Sequence, residues 1–467
     1  MTVEILPGLI RAFIRALLIV AACLPVALAM RPTLCHDPRR SGWIWALLLL
    51  PWLTPALLTG YGYYSYSLSL IHYPVWNEIL YCLLIAMKVL PVAAAVLCVM
   101  PESMSPSAVH CHRLLASNSK RHAGLLLTLR SHATGLWAAG AAVFLLAFSD
   151  FDMAALMTIP SWTVHLFDQQ TGGLPIKDAL ELAVIPVLCK AIVLATALVL
   201  IMRTDTQPLG QATVVRGRRR TILVLCLSAI VVAGIPGAVV LRGTPEGIGT
   251  VFANFAIARS LLAAVAFAGI AVGLATFGAK LLRPNFMLRF KGWRPALRLI
   301  AVPLIILGLL GPLLVSLLLL ALLQHLGIQW LYDSPLPLLL ALTILLFPFA
   351  YMLRLLMDRF TDDSAIHTAR LLGDNNTNAR RLLWALHTRR EFWVAFILFI
   401  WAYSNVVAAA MLAPTWGTPV FVVLYNLMHY GQTAVMSAMV CVVVAVPLAL
   451  LAVGAGGNCL ITRRSVR

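Results

Sequence analysis

Apolar runs of about 20 residues recur along this chain, parted by short polar or basic stretches. Runs of that length cross a bilayer as helices. Eleven are expected, near 10–30, 43–60, 79–99, 133–148, 178–202, 221–240, 253–279, 299–323, 336–356, 392–412 and 434–455. None shows the two-residue alternation of a transmembrane β-strand. The expected fold class is an all-α polytopic membrane protein with about eleven transmembrane helices, twelve being the alternative.

Some connections are more than short loops. Residues 149–177 carry Ser-Asp-Phe-Asp, Pro160, Trp162 and the pair Gly172-Gly173. Asp178 and Glu181 then open the fifth run, as a helix N-terminus favours. Tyr61, Tyr63, Tyr64 and Tyr66 are expected in a loop at the membrane interface, where aromatic side chains gather. The stretch TPVFVVLYNLMHYGQ before the last run is expected to form a short helix at the outer surface. A basic linker, residues 203–220, ends in RGRRR and marks the expected boundary between residues 1–210 and residues 211–467.

Composition sharpens this picture. Of 467 residues, 61% are hydrophobic and only 11% charged, where a soluble domain carries roughly a quarter. The net charge of +18 would suggest nucleic acid in a soluble protein. Here the basic residues sit in short loops, as the positive-inside rule describes, so no nucleic acid is expected. Placing the basic loops in the cytosol puts the N-terminus outside, with Arg11 and Arg15 near the outer edge. The nine cysteines form no CxxC or regular framework, so buried thiols are expected.

Two polar islands stand out, His110–Arg130 and His367–His387. A shift of 257 positions lays Arg113, Leu114, Leu115 and Asn118 on Arg370, Leu371, Leu372 and Asn375. Leu125, Leu126 and Leu129 then fall on Leu382, Leu383 and Leu386. A second echo pairs IRALLIVAACLPVALAMRP around Arg15 with ARSLLAAVAFAGIAVGLAT around Arg259. The first run thus matches the seventh, and the sixth has no partner. Two repeats of equal orientation imply a pseudo-two-fold axis along the membrane normal.

The islands resemble the coupling loop of type I permeases of ATP-binding-cassette importers. That signature reads Glu-Ala-Ala, three residues, Gly, about nine residues, then Ile-x-Leu-Pro. Gly373 stands at the Gly position, with His367, Thr368 and Ala369 in the Glu-Ala-Ala places. In the first island Ala116 replaces Gly. Leu129 and Leu386 match the Leu; Arg130 and His387 replace the Pro. The segment Leu424–Met439 is similar to the last helices of fused double-length permeases, a group that includes ferric-iron, thiamine and phosphonate importers.

The resemblance implies coupling loops at residues 108–130 and 365–388. Arg113, Leu114, Leu115, Ala116, Arg370, Leu371, Leu372, Gly373 and Asp374 would contact the motor. Leucines would enter a groove on an ATPase subunit, and the arginines would face its acidic residues. The implied partners are two ATPase subunits, a periplasmic solute-binding protein and the lipid bilayer. The implied location is a bacterial cytoplasmic membrane. No G-x-x-x-x-G-K-[ST] loop occurs, so ATP and Mg belong to the separate subunit. The chain itself is expected to carry no catalytic residue, cofactor or metal.

Residue readings at single positions remain open. His110, Cys111 and His112 are adjacent, so on a helix they point in different directions and seldom form one site. Asp150 is either a helix cap or a substrate-path residue, since acids within membranes are costly and often functional. Arg259, with Arg15, either lines that path or has a structural role. Asp, Glu and His are sparse inside the apolar runs, which favours external power over a proton- or sodium-driven secondary transporter. That transporter and a non-transport scaffold stand as the alternatives.

Overall fold

The computed structural model describes residues 2–35, 42–100, 129–202, 218–254, 257–281, 294–359, 377–429 and 433–466. Every regular element among these residues is helical. Eight helices are long and apolar enough to cross a membrane, and eleven spans result if each of three bent pairs counts as one. Exposed apolar side chains such as Ile192, Leu223 and Leu262 form the surface that lipid covers. The protein is an all-α polytopic membrane protein.

The chain divides into two compact units, Met1–Pro236 and Gly237–Arg467. This division lies one helix beyond the boundary expected at 210/211. The reason is packing: α9 (Arg218–Ala229), which follows the basic linker, lies against α1 (Thr2–Cys35) and α2 (Gly42–Leu53) in the first unit. A π-helical turn, Ile230–Gly234, then leads into α10 (Ile235–Asn254).

The remaining elements of the first unit are α3 (Ala56–Ser69), α4 (Pro74–Val99), α5 (Ala133–Phe148), α6 (Asp152–Leu156), α7 (Trp162–Thr171) and α8 (Ile176–Met202). The second unit holds α11 (Ile257–Leu281), α12 (Arg294–Leu309), α13 (Pro312–Leu326), α14 (Leu336–Arg359), α15 (Thr377–Tyr403), α16 (Val406–Leu412), α17 (Val420–His429) and α18 (Thr433–Val466).

These two sets match in order and in neighbours. In the first unit α4 packs on α1, α2 and α5; α5 also packs on α1 and α8; α6 meets α3; and α7 meets α1 and α8. In the second unit α14 packs on α11, α12 and α15; α15 also packs on α11 and α18; α16 meets α13; and α17 meets α11 and α18. Each unit is one copy of the same packing scheme. The helix formed by α9, the π turn and α10 stands outside it.

Three spans read as straight runs are bent. The second bends by 65° between α2 and α3, where Thr54-Pro55 interrupts the helix. Proline lacks an N–H and pushes the residue before it out of helical geometry. The eighth turns by 119° between α12 and α13. Gly311 sits there at φ 93°, a conformation side chains disfavour, and Pro312 starts the next helix. The tenth bends by 58° between α15 and α16. The tyrosine stretch expected as a loop is helical, because α3 runs to Ser69.

Backbone groups freed by these irregularities find side chains, as buried carbonyls must. Pro236 cannot donate to Val232 O, and the π turn loosens the hydrogen-bond ladder before it. Thr59 Oγ1 donates to Val232 O at 3.1 Å and Tyr63 Oη to Val231 O at 2.9 Å. Pro91 leaves Met87 O without its usual donor, and Ser228 Oγ approaches it at 3.5 Å.

A candidate polar site at a broken helix

Among the described residues, Asp150, Asp152 and Lys88 of the first unit gather around the break between α5 and α6. Ser149 Oγ donates back to Leu145 O at 2.5 Å, one turn earlier. Such back-bonding competes with the helical ladder and helps end it. Asp150 then turns its carboxylate inward. Its Oδ2 accepts from Tyr81 Oη at 3.0 Å and from the Ala154 amide at 3.1 Å. Its backbone carbonyl accepts from Thr163 Oγ1 at 2.7 Å.

Asp152 opens α6 two residues on. Its Oδ1 is enclosed and has no hydrogen-bond partner. Lys88, on α4, lies within electrostatic reach of both aspartates. Its Nζ donates to Thr54 O, at the bend between α2 and α3. The two broken spans of this unit therefore meet the same helix, α4, through Lys88 and Tyr81.

A second layer holds the loop after α6. Arg15 on α1 is 6% exposed. It pairs with Glu78 at 3.2 Å, donates to Pro160 O at 2.6 Å, and rests 5.3 Å from the centre of the Tyr81 ring. Ser67 and Asn77 both donate to Met157 O, at 2.6 and 3.0 Å. Thr158 takes a positive φ of 53° within this brace. Three helices thus spend polar side chains on one short loop, which keeps the broken helix in place.

Lys190 on α8 is 1% exposed. Its Nζ lies 5.0 Å from the Trp162 ring centre and 5.9 Å from that of Phe148. Aromatic faces attract cations, which offsets part of the burial cost. Trp162 is itself fixed, because its Nε1 donates to Phe148 O at 2.8 Å.

Of the residues singled out from sequence, Asp150 sits at this centre. Arg259 belongs to the second unit, on the first turn of α11, and is exposed. Arg113, Leu114, Leu115, Ala116, Arg370, Leu371, Leu372, Gly373 and Asp374 lie outside the described residues. So do His110, Cys111 and His112. Among the described residues no three His, Cys, Asp or Glu side chains cluster as a metal site.

Asp152, which the sequence offers with Asp150 as a cation-binding pair, lies beside it, whereas Tyr81, Lys88 and Lys190 were missed. Lys88 and Lys190 gave a usable signal: each is a lone charge deep in an apolar run, where charge is expensive. Counting only acids and histidines passed over them.

The helix ends that flank the islands are clamped by arginines. Arg31 Nε donates to Leu97 O at 2.9 Å, near the end of α4. Arg354 near the end of α14 makes a two-pronged pair with Glu391 on α15, at 3.0 and 2.5 Å.

No known protein family, curated protein or solved structure matches the chain.

Proposed function

We propose that the chain is the transmembrane permease subunit of an ATP-binding-cassette importer. It would move a small charged solute, delivered by a periplasmic binding protein, across a bacterial cytoplasmic membrane. The observation that carries this reading is the repeated packing scheme, with each polar island joining equivalent helices. The first island connects α4 to α5, and the second connects α14 to α15. One chain so built offers two like contacts to two ATPase subunits. Their closure on ATP would draw the islands together, and the rocking of the two units would alternate access.

Discontinuous spans suit the cargo path, because freed backbone groups and buried charges gather at their breaks. In the first unit that place is Asp150, with Asp152 and Lys88 beside it. The enclosed Oδ1 of Asp152 and the nearby ammonium offer charge of both signs to a passing solute.

A secondary transporter is the second reading. It is favoured by the same buried cluster, since an Asp with Tyr and Lys neighbours inside the membrane also suits ion-driven transport.

The substitution Leu371→Asp separates the two. A charge placed in a buried protein contact is strongly unfavourable. We expect the variant to insert and melt like the wild type while losing the ATPase and losing transport. Undiminished ATPase association and transport in that variant would overturn the coupling role of the second island.

A further inference from the structure

Helices α1 and α4 run side by side in one register. Arg15 meets Glu78 at 3.2 Å, Cys23 Sγ donates to Ala86 O at 3.3 Å, and Cys35 Sγ meets Cys98 Sγ at 2.6 Å; each pair is 63 positions apart. About 20 residues of helix separate Arg15 from Cys35, which is about 30 Å. That is about the thickness of the hydrocarbon core. The ion pair therefore marks one membrane edge and the two thiols mark the other.

The thiol end is held by neighbours on both helices. Arg31 Nε donates to Leu97 O, one residue before Cys98. Trp45 Nε1 lies 3.4 Å from Leu34 O, one residue before Cys35. Cys98 is fully buried and Cys35 is half-buried, so Cys35 is the more accessible residue of the two. The matching helices of the second unit, α11 and α14, contain no cysteine.

We infer that Cys35 and Cys98 form a redox-convertible pair that ties α1 to α4. The oxidant is a hydroperoxide. The Cys35 sulfur takes its outer oxygen, giving a sulfenic acid and releasing the alcohol, or water from hydrogen peroxide. The Cys98 sulfur then displaces that oxygen as water and closes the disulfide. Two thiols lose two electrons, the peroxide O–O bond is cleaved, and the thiol protons leave in the products. A dithiol reverses the step by exchange. On the topology expected from charge, this end faces the cytosol, where thiols are kept reduced. The bond then forms under oxidative load. It fixes the ends of two helices, α4 being the one from which the chain leads on to the first island at His110.

The test uses the full chain in its native membrane and does not depend on what the protein carries. Membranes are treated with hydrogen peroxide, alkylated, digested without reductant and analysed by mass spectrometry, with fragment ions assigning the sulfurs. The expected product is a Cys35–Cys98 cross-linked peptide in most of the chain, removed by a dithiol. Cys111→Ser should leave the link intact, and Cys35→Ser should abolish it. Recovery of Cys35 and Cys98 on separate peptides after peroxide, or a link that persists in Cys35→Ser, would overturn the inference.

Discussion

The break after α5 and the break after α15 are built alike and charged differently. In the first, Ser149 Oγ donates back to Leu145 O and Asp150 accepts from the amide of Ala154. In the second, Ser404 Oγ donates back to Ile400 O at 2.8 Å and Asn405 accepts from the amide of Ala408 at 3.0 Å. A serine that ends the long helix and an acceptor that caps the short one recur in both. Around Asp150, however, stand Tyr81, Lys88, Asp152 and Arg15. Helix α14, which matches α4, carries no charged side chain before Arg354. The arginine that echoes Arg15, Arg259, is exposed. Packing has been kept in both copies, while charge has been concentrated in one. Breaking a helix needs only an alternative set of hydrogen bonds, which a neutral amide supplies as well as a carboxylate. The negative charge of Asp150 is therefore not required to shape the break.

If packing is common and charge is not, insults to packing should hurt both units and changes of charge should hurt one. The largest effect is expected at close helix crossings. A Cβ at Gly308 would lie 2.3 Å from Ile344 O, and one at Gly62 would lie 2.6 Å from Pro236 Cα. Backbone cannot yield as a side-chain tip can. Gly308→Val and Gly62→Val should each cost about 3 kcal/mol, at the upper end for overpacking. Thermal unfolding in detergent measures this, and an unchanged melting temperature in either variant would contradict the close crossing at that glycine.

Arg15→Ala comes next. It strands Glu78 and removes the donor to Pro160 O. Because the Glu78 side chain keeps 27% of its exposure, about 2–3 kcal/mol is expected, below the range for a fully buried pair. Arg259→Ala should stay within about 0.5 kcal/mol, as exposed substitutions do. Equal melting shifts for the two would erase the difference between them.

Exchanging the capping residues gives smaller shifts. Asn405→Asp puts a carboxylate where nothing charged was accommodated, and about 2 kcal/mol should be lost. Asp150→Asn keeps an oxygen for the Ala154 amide, so about 1 kcal/mol is expected from the weakened Tyr81 bond. Transport should nevertheless fall at least about tenfold in Asp150→Asn, the ratio that 1.4 kcal/mol of lost solute or transition-state interaction produces. Full transport in a well-folded Asp150→Asn chain would show that the charge is dispensable.

The spans were legible in the sequence because a bilayer demands uninterrupted apolar runs, and all eleven stretches correspond to long helices or bent pairs. The bends were not, although Thr54-Pro55 and Gly311-Pro312 carried the chemistry that makes them. An apolar run tells only that a segment is buried in lipid or protein, whatever its path. Asp150 could be singled out because an acid beside a membrane helix is costly. Its partners come from α4, α6 and α7, and no spacing along the chain announces that Tyr81 and Thr163 will meet it. The coupling residues Arg113–Ala116 and Arg370–Asp374 lie outside the described residues, so the coupling reading still stands on their sequence.

Co-purification tests that reading most directly. The chain, tagged in its native membrane, would be captured and its companions identified by mass spectrometry. The account predicts a P-loop ATPase at two copies per chain, together with a periplasmic binding protein. Capture of the chain with neither, under conditions that hold a control importer together, would contradict it.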